Sequence, residues 1–168
     1  MRLVTLLMAV WILFKMSVDW DQRYLALAKE ISSWSKDPSR KIGAVAVGAK
    51  GQVLAQGYNG FPRGIVDSRD RYNNRPVKYK YVVHAEMNCI YNATYNGVSL
   101  DGSIMYVWGL PMCSDCAKGV IQVGVKHVLW GTDMLIPKTW VDSLEDTTAM
   151  FREAGVKITC LHSPGSVV

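Results

Sequence analysis

SIMYVWGLPMCSDCAKGVIQVGVKHVLWG, residues 103–131, reads as strand, helix, strand. SIMYVW (103–108) and KHVLWG (126–131) are apolar runs of strand length. Between them, past Pro111, CSDCAKGVIQVG (113–124) reads as a helix. The alternation continues on both sides. A helix is predicted from about His84 to Tyr95, stopped by Asn96-Gly97, and another over 141–154. A last strand, VKITCL (156–161), follows Gly155. Helices alternating with strands from residue 84 onward predict an α/β sheet with parallel crossovers.

The first half reads differently. In DWDQRYLALAKEISSW, Trp20, Tyr24, Leu27, Ile31 and Trp34 recur at helical spacing, with Asp19 as the candidate N-cap. Pro38 ends that helix. IGAVAVG (42–48) and QVLAQGY (52–58), joined by Ala49-Lys50-Gly51, predict a β-hairpin. A long loop, Asn59 to Tyr81, follows, and a loop of that length inside a compact domain is usually functional.

At 168 residues the chain is sized for one domain with a core that needs no staples. The four cysteines, Cys89, Cys113, Cys116 and Cys160, are therefore not required as disulfides. Cys113 and Cys116 form a C-x-x-C pair, which in a reducing compartment points to metal or redox chemistry. The net charge of +5 is concentrated: Arg63, Arg69, Arg71, Arg75, Lys78 and Lys80 face only Asp67 and Asp70 between residues 61 and 80. A local patch of this kind suits a phosphorylated small molecule or a solvated loop; a nucleic-acid track would spread basic charge across a face. No stable nucleic-acid partner is expected.

Residues 1–15 stand apart. Leu3 to Phe14 is almost wholly apolar but shorter than the roughly 20 residues of a membrane-spanning helix. It has the length of a signal-peptide core, yet no A-x-A-like site follows before Asp19. From Met16 the chain reads as a soluble start running straight into the first helix. The expected organisation is an over-extended start or non-core segment over 1–15 and one domain over 16–168, cytoplasmic and without membrane attachment. A tether through residues 3–14 is the competing reading.

His84, Glu86, Cys113 and Cys116 all fall at helix N-termini that follow strands or extended chain. In an open α/β sheet such helix starts gather at the carboxyl ends of the strands, where ligands bind. The N-terminal dipole and free N–H groups there favour thiolate, the metal-binding form of cysteine. One imidazole and two thiolates make three ligands for tetrahedral Zn2+ with one position open, which is the catalytic pattern. Cys89, Cys160, His127 and His162 lack ligand spacing and read as core thiol or surface groups. Glu86, two residues along the helix from His84, is turned about 200° away and is poorly placed as a ligand. It is either an ordinary first-turn acid or a proton carrier beside a metal-activated water.

H-A-E at 84–86 and P-M-C-S-D-C at 111–116, with Cys113 29 residues beyond His84, resemble the H-x-E…P-C-x-x-C signature of zinc-dependent nucleobase deaminases. SKDPSRKIGAVAV (35–47), GYNGFPRGI (57–65), RYNNRPVKYKYVVHAE (71–86) and CAKGVIQVGVKHV (116–128) look like the deoxycytidylate branch of the cytidine and deoxycytidylate deaminase superfamily. That resemblance implies a three-layer α/β/α sandwich around a five-stranded mixed sheet. It also implies one zinc ion per chain on His84, Cys113 and Cys116. Glu86 would then carry protons to N3 of cytosine and to the departing ammonia. Asn59 would bind the sugar, the Ala85 backbone would lie against the base, and Arg63 with the basic loop would take the 5′-phosphate.

The chain departs from the family pattern in three places. Met112 separates Pro111 from Cys113, and Met87 follows H-A-E where arginine is common. After KHVLWG, where many relatives carry a phosphate-binding Tyr-Arg pair, this chain has Gly131-Thr132-Asp133-Met134, with Trp130 just before as a substrate-side candidate. The expected activity is hydrolytic deamination of deoxycytidylate, by a homo-oligomer, with hexamers common among relatives. Two alternatives are a zinc deaminase of another cytosine or adenine nucleoside or nucleotide, tRNA adenosine included, and a non-catalytic module stapled by zinc.

Overall fold

The computed structural model describes residues 20–162, the side chain of His162 excepted. Residues 1–15 and the candidate cap Asp19 lie outside the described residues. Residues 20–33 form helix α1. The hairpin follows as β1 (Gly43–Val47) and β2 (Val53–Tyr58), each within a residue of its expected bounds. Then come α2 (Arg69–Asn73), α3 (Arg75–Tyr81), α4 (Ala85–Tyr95), β3 (Ile104–Trp108), α5 (Ser114–Gln122), β4 (His127–Gly131), α6 (Val141–Ala154) and β5 (Lys157–His162).

The five strands make one mixed sheet in the order β2-β1-β3-β4-β5. β1 is antiparallel to both β2 and β3, whereas β3, β4 and β5 run parallel, connected through α5 and α6 as the alternating pattern predicts. Side chains alternate across the strands, so each face has its own core. Val45, Val47, Tyr106, Trp108 and Leu129 pack with Leu25, Ala28 and Ile31 of α1. Ala44, Ala46, Met105, Val107, Val128 and Trp130 pack on the opposite face with α4, α5 and α6. The result is the three-layer α/β/α sandwich.

Two glycines set how closely the helices approach the hairpin. A Cβ on Gly57 of β2 would lie 2.5 Å from the Ala85 carbonyl oxygen and 2.7 Å from the Asn88 carbonyl carbon of α4. A Cβ on Gly43 of β1 would lie 2.6 Å from the Ser32 backbone nitrogen of α1. Backbone-to-backbone contact at both places needs a residue without a side chain. This corrects the expected face of α1. It is turned so that Leu25, Ala28, Ile31 and Ser32 are buried, because only small residues fit where the helix meets Gly43. Trp20, Leu27 and Trp34 of the predicted stripe are left exposed.

Two more expectations change. The 59–81 loop contains α2 and α3. Ser68 caps α2 by accepting from the Arg71 N–H, and Asn74 caps α3 by accepting from the Val77 N–H, with a proline in the first turn. These are local capping signals inside a segment whose apolar periodicity is too short to announce a helix. His162, one residue beyond the expected end of the last strand, closes β5 and pairs with Gly131. Among the described residues no helix is long and apolar enough to cross a membrane.

Gly57→Ala pushes α4 off the sheet and is expected to cost about 2–3 kcal/mol of stability, as overpacking against backbone does. Urea denaturation monitored by circular dichroism measures it. An unchanged midpoint would mean that α4 does not rest on β2 through this contact.

Candidate active site

The strand register brings the site residues to one edge of the sheet. Gly43 pairs with Tyr58 on one side and with Trp108 on the other, and Trp108 pairs with Gly131. Asn59, Ile42 and the chain leading from β3 to Cys113 therefore leave the sheet at the same edge. His84 is the N-cap of α4 and Cys113 the N-cap of α5, each extended and neither using its side chain as a cap. Cys116 lies in the first turn of α5.

The structure brings His84, Cys113 and Cys116 together. His84 Nδ1 lies 3.4 Å from the Cys113 Sγ and 3.4 Å from the Cys116 Sγ, and the three donor atoms all fall within 4.8 Å of one another. A tetrahedral zinc ion with ordinary Zn–N and Zn–S bonds would separate nitrogen and sulfur by about 3.6 Å. The donor set and its spacing fit zinc. No fourth donor joins the cluster among the described residues. Cys89 is fully buried in the core, and burial pushes its thiol up to about 12. His127 bonds Thr159 at 2.9 Å, and Cys160 is an exposed β5 residue.

The segment carrying the cysteines is clamped from the other side. Trp140 Nε1 donates to the Pro111 carbonyl at 2.8 Å, Thr147 Oγ1 to the Met112 carbonyl at 3.1 Å, and the Ser114 N–H to Ser143 Oγ at 3.0 Å. Met112, the extra residue before Cys113, is completely buried in the core, so the insertion is absorbed by packing. Met87 packs at the α4–α5 contact, where a Cβ on Gly119 would lie 2.8 Å from its sulfur.

Glu86 is buried, 4% exposed, and shares a cavity of about 1040 Å³ with His84, Ala85, Asn59 and Pro111. Burial raises its carboxyl above the ordinary range, partly opposed by the neighbouring His84 imidazole. In the metal-free chain Cys113 is drawn down to about 4, first by the hydrogen bond from Cys116 and also by the bond to His84. His84 is raised to about 9, chiefly by its bond to Cys113. Cys116 is pushed up because it bonds to the Cys113 sulfur and is buried.

Asn59 and Ala85 line the cavity, whereas Arg63 and Trp130 do not. Arg63 donates to Asn92 on α4 and lies over the Tyr95 ring, because the chain after Gly60 turns outward past the hairpin. Trp130 is 7% exposed and packs in the core, since its place in β4 points it at the helical layer. The cavity instead receives Asp37, Ser39, Arg40, Arg75, Lys78, Tyr79 and Trp140. Asp37, Ser39 and Arg40 lie within the SKDPSR stretch, whose Asp-Pro turn is the only local signal they carry. Arg75 and Lys78 belong to the basic 61–80 patch, and nothing local marks Trp140.

An α/β sandwich with a cluster of one nitrogen and two sulfur donors, and a buried carboxylate beside His84 on a cavity wall, is the framework of a metalloenzyme. Residues 18–132 match the cytidine and deoxycytidylate deaminase zinc-binding region, and the chain belongs to that family. It is a zinc-dependent hydrolytic deaminase. It is 38% identical over 146 residues to the deoxycytidylate deaminase of Mus musculus, covering 83% of this chain and 78% of the mouse protein. It is 35% identical over 144 residues to an uncharacterized deaminase in the luxG 3′ region of Aliivibrio fischeri, covering 84% and 93% of the two chains. The dCMP deaminase of cyanophage S-TIM5, solved in complex with dCMP and dUMP, superimposes with a TM-score of 0.66 at 27% identity. That match covers 83% of this chain and 94% of the phage chain.

Ligands must be deprotonated to hold the metal. At pH 7 the metal-free chain holds a proton on His84 and one on Cys116, while Cys113 is already thiolate. Zinc uptake at pH 7 is expected to release about two protons, with affinity rising with pH, steeply while His84 is protonated and less steeply above about pH 9, where only the Cys116 proton is left to displace. Calorimetry in buffers of different ionisation enthalpy counts them, and release of fewer than one would contradict this protonation pattern.

Proposed function

We propose that this enzyme converts deoxycytidylate to deoxyuridylate with release of ammonia. The observation that carries the reading is the buried Glu86 in one cavity with Arg40, Arg75 and His84, the last of which gathers with Cys113 and Cys116 into one donor triangle. The relatives named deoxycytidylate deaminase, and the phage enzyme solved with dCMP and dUMP, support it.

Zinc held by His84, Cys113 and Cys116 supplies Lewis acidity, lowering the pKa of water toward neutrality. Glu86 takes a proton from the attacking water and delivers it to N3 as the new bond forms at C4. It then carries the second water proton to the 4-amino group. The C4–N bond breaks, ammonia departs and the C4 carbonyl is left. A carboxyl raised by burial suits both roles, because it accepts and returns a proton more evenly than an exposed glutamate. The Ala85 backbone lies at the cavity wall beside the donors, positioned to meet the base.

Arg40 is the better candidate for the 5′-phosphate than Arg63. It lines the cavity, and its guanidinium reaches Met134, in the segment that replaces the Tyr-Arg pair of many relatives. Arg75 lines the same cavity and bonds the Tyr79 hydroxyl at 3.0 Å. The reading extends to a single domain from Met16, to a reducing cytoplasm that keeps Cys113 and Cys116 available to zinc, and to a homo-oligomer. The exposed aromatics Trp34, Tyr91 and Tyr95 offer surface for contacts between copies, and light scattering measures their number.

Ammonia release from cytosine, deoxycytidine, dCMP and dCTP, with and without chelator, tests the substrate. dCMP is expected to give the highest kcat/KM, and preference for a non-phosphorylated substrate would overturn the assignment. Glu86→Gln is expected to retain zinc and lower kcat by about 10²–10⁴-fold or more. Normal turnover by this variant would remove Glu86 from the chemistry. Arg40→Ala is expected to raise KM for dCMP about tenfold or more and leave deoxycytidine nearly unaffected.

A further inference from the structure

Asp37, Lys78 and Asn59 form one hydrogen-bonded unit on the cavity wall, apart from the metal donors and Glu86. The Lys78 ammonium lies 2.8 Å from Asp37 Oδ2, 3.0 Å from Oδ1 and 3.3 Å from Ser39 Oγ. Both partners are deeply buried, with side-chain exposures of 10% and 3%. The ammonium donates to Asp37 Oδ1 and Ser39 Oγ and is paired with the Asp37 carboxylate as a whole. Lys78 lines the cavity, but its charge is already matched by the buried Asp37 carboxylate.

Asp37 passes the constraint onward. Its Oδ1 accepts the Ser39 N–H at 2.8 Å and its Oδ2 faces Asn59 Nδ2 at 3.4 Å. Asn59 Nδ2 also donates to the Arg40 carbonyl at 2.9 Å, and Asn59 Oδ1 accepts the Ile42 N–H at 2.8 Å. With both amide hydrogens committed, the Asn59 side chain has one orientation. Its oxygen keeps one unused lone pair for a ligand hydroxyl. A buried ion pair is a poor device for stability, since apolar replacements of similar volume are often neutral or better. Orientation is what the pair supplies. Lys78 comes from α3, 41 residues from Asp37, so it ties the α2–α3 excursion to the loop that leaves the sheet edge.

We infer that Lys78 is a positioning residue for substrate binding: through Asp37 it holds the Asn59 amide in the orientation that receives the sugar hydroxyl. This rests on the deoxycytidylate reading for the identity of the ligand. Lys78 touches neither the base nor the phosphate.

Lys78→Met, Asn59→Ala and the double variant test it, with dCMP and deoxycytidine as substrates. Lys78→Met is expected to raise KM for both substrates by the same factor, about tenfold, with kcat changed much less. The double variant is expected to be no worse than Asn59→Ala alone, because both changes remove one interaction. The Asn59 side-chain amide protons, assigned by their loss in Asn59→Ala, are expected to be slow to exchange in the wild type and fast in Lys78→Met. A KM increase confined to dCMP, additive effects, or unchanged amide exchange would each overturn the inference. If Lys78→Met does not fold, Lys78→Gln is read by the same three criteria. If the wild type deaminates neither substrate, the functional reading fails, and amide exchange alone decides whether Lys78 positions Asn59.

Discussion

The contact of α4 with β2 at Gly57 is the constraint from which the rest of the site follows. With no side chain between them, the Ala85 carbonyl and the Cys89 N–H region of the helix rest directly on the strand. That fixes the start of α4, and with it His84, Ala85 and Glu86, relative to the sheet edge. Ala44 and Ala46, the small residues that β1 turns toward the same layer, keep the rest of the interface equally thin. A larger residue at any of these positions would lift the helix, and the His84 nitrogen would move away from two sulfurs held by a different helix.

The cysteine half of the site is held by different physics. α5 is capped at Cys113 directly after a buried turn; Trp140 and Thr147 donate to the Pro111 and Met112 carbonyls, and Ser143 Oγ accepts the Ser114 N–H. Packing places one donor and hydrogen bonding the other two, so a metal ion held by them would join two separately anchored helix ends. The local electrostatics agree with that role. A thiolate at a helix N-terminus beside an imidazole is stabilised before any metal arrives. Glu86, on the first turn but inside the cavity, meets the opposite environment, and burial raises its carboxyl above the ordinary range.

Strand–helix alternation was legible from residue 84 onward because each element is long enough to show its own period, and the parallel pairing follows from that. The donor residues were legible for a related reason: C-x-x-C and H-x-E are short spacings that a helix start turns into geometry by itself. The α1 stripe was misjudged because periodicity counts apolar residues, whereas the packing face was selected by fit to Gly43. Trp20, Leu27 and Trp34 are apolar and stay outside; Ser32 is polar and goes inside. α2 and α3 were missed because single caps at Ser68 and Asn74 carry little weight without a periodic face behind them.

The sequence by itself determined the donor set: an imidazole and two thiols at helix starts, in the order of a known zinc signature, with a carboxylate two residues from the imidazole. Tertiary structure decided what surrounds it. Arg63, in the most distinctive stretch of the chain, turns outward to Asn92 and Tyr95, and Trp130 goes into the core. Arg40, Asp37 and Lys78 take the cavity wall. The reason is range. Ligand spacing is set within a turn of helix, but which cation faces a cavity depends on where segments some 40 residues apart are brought together, as Asp37 and Lys78 are.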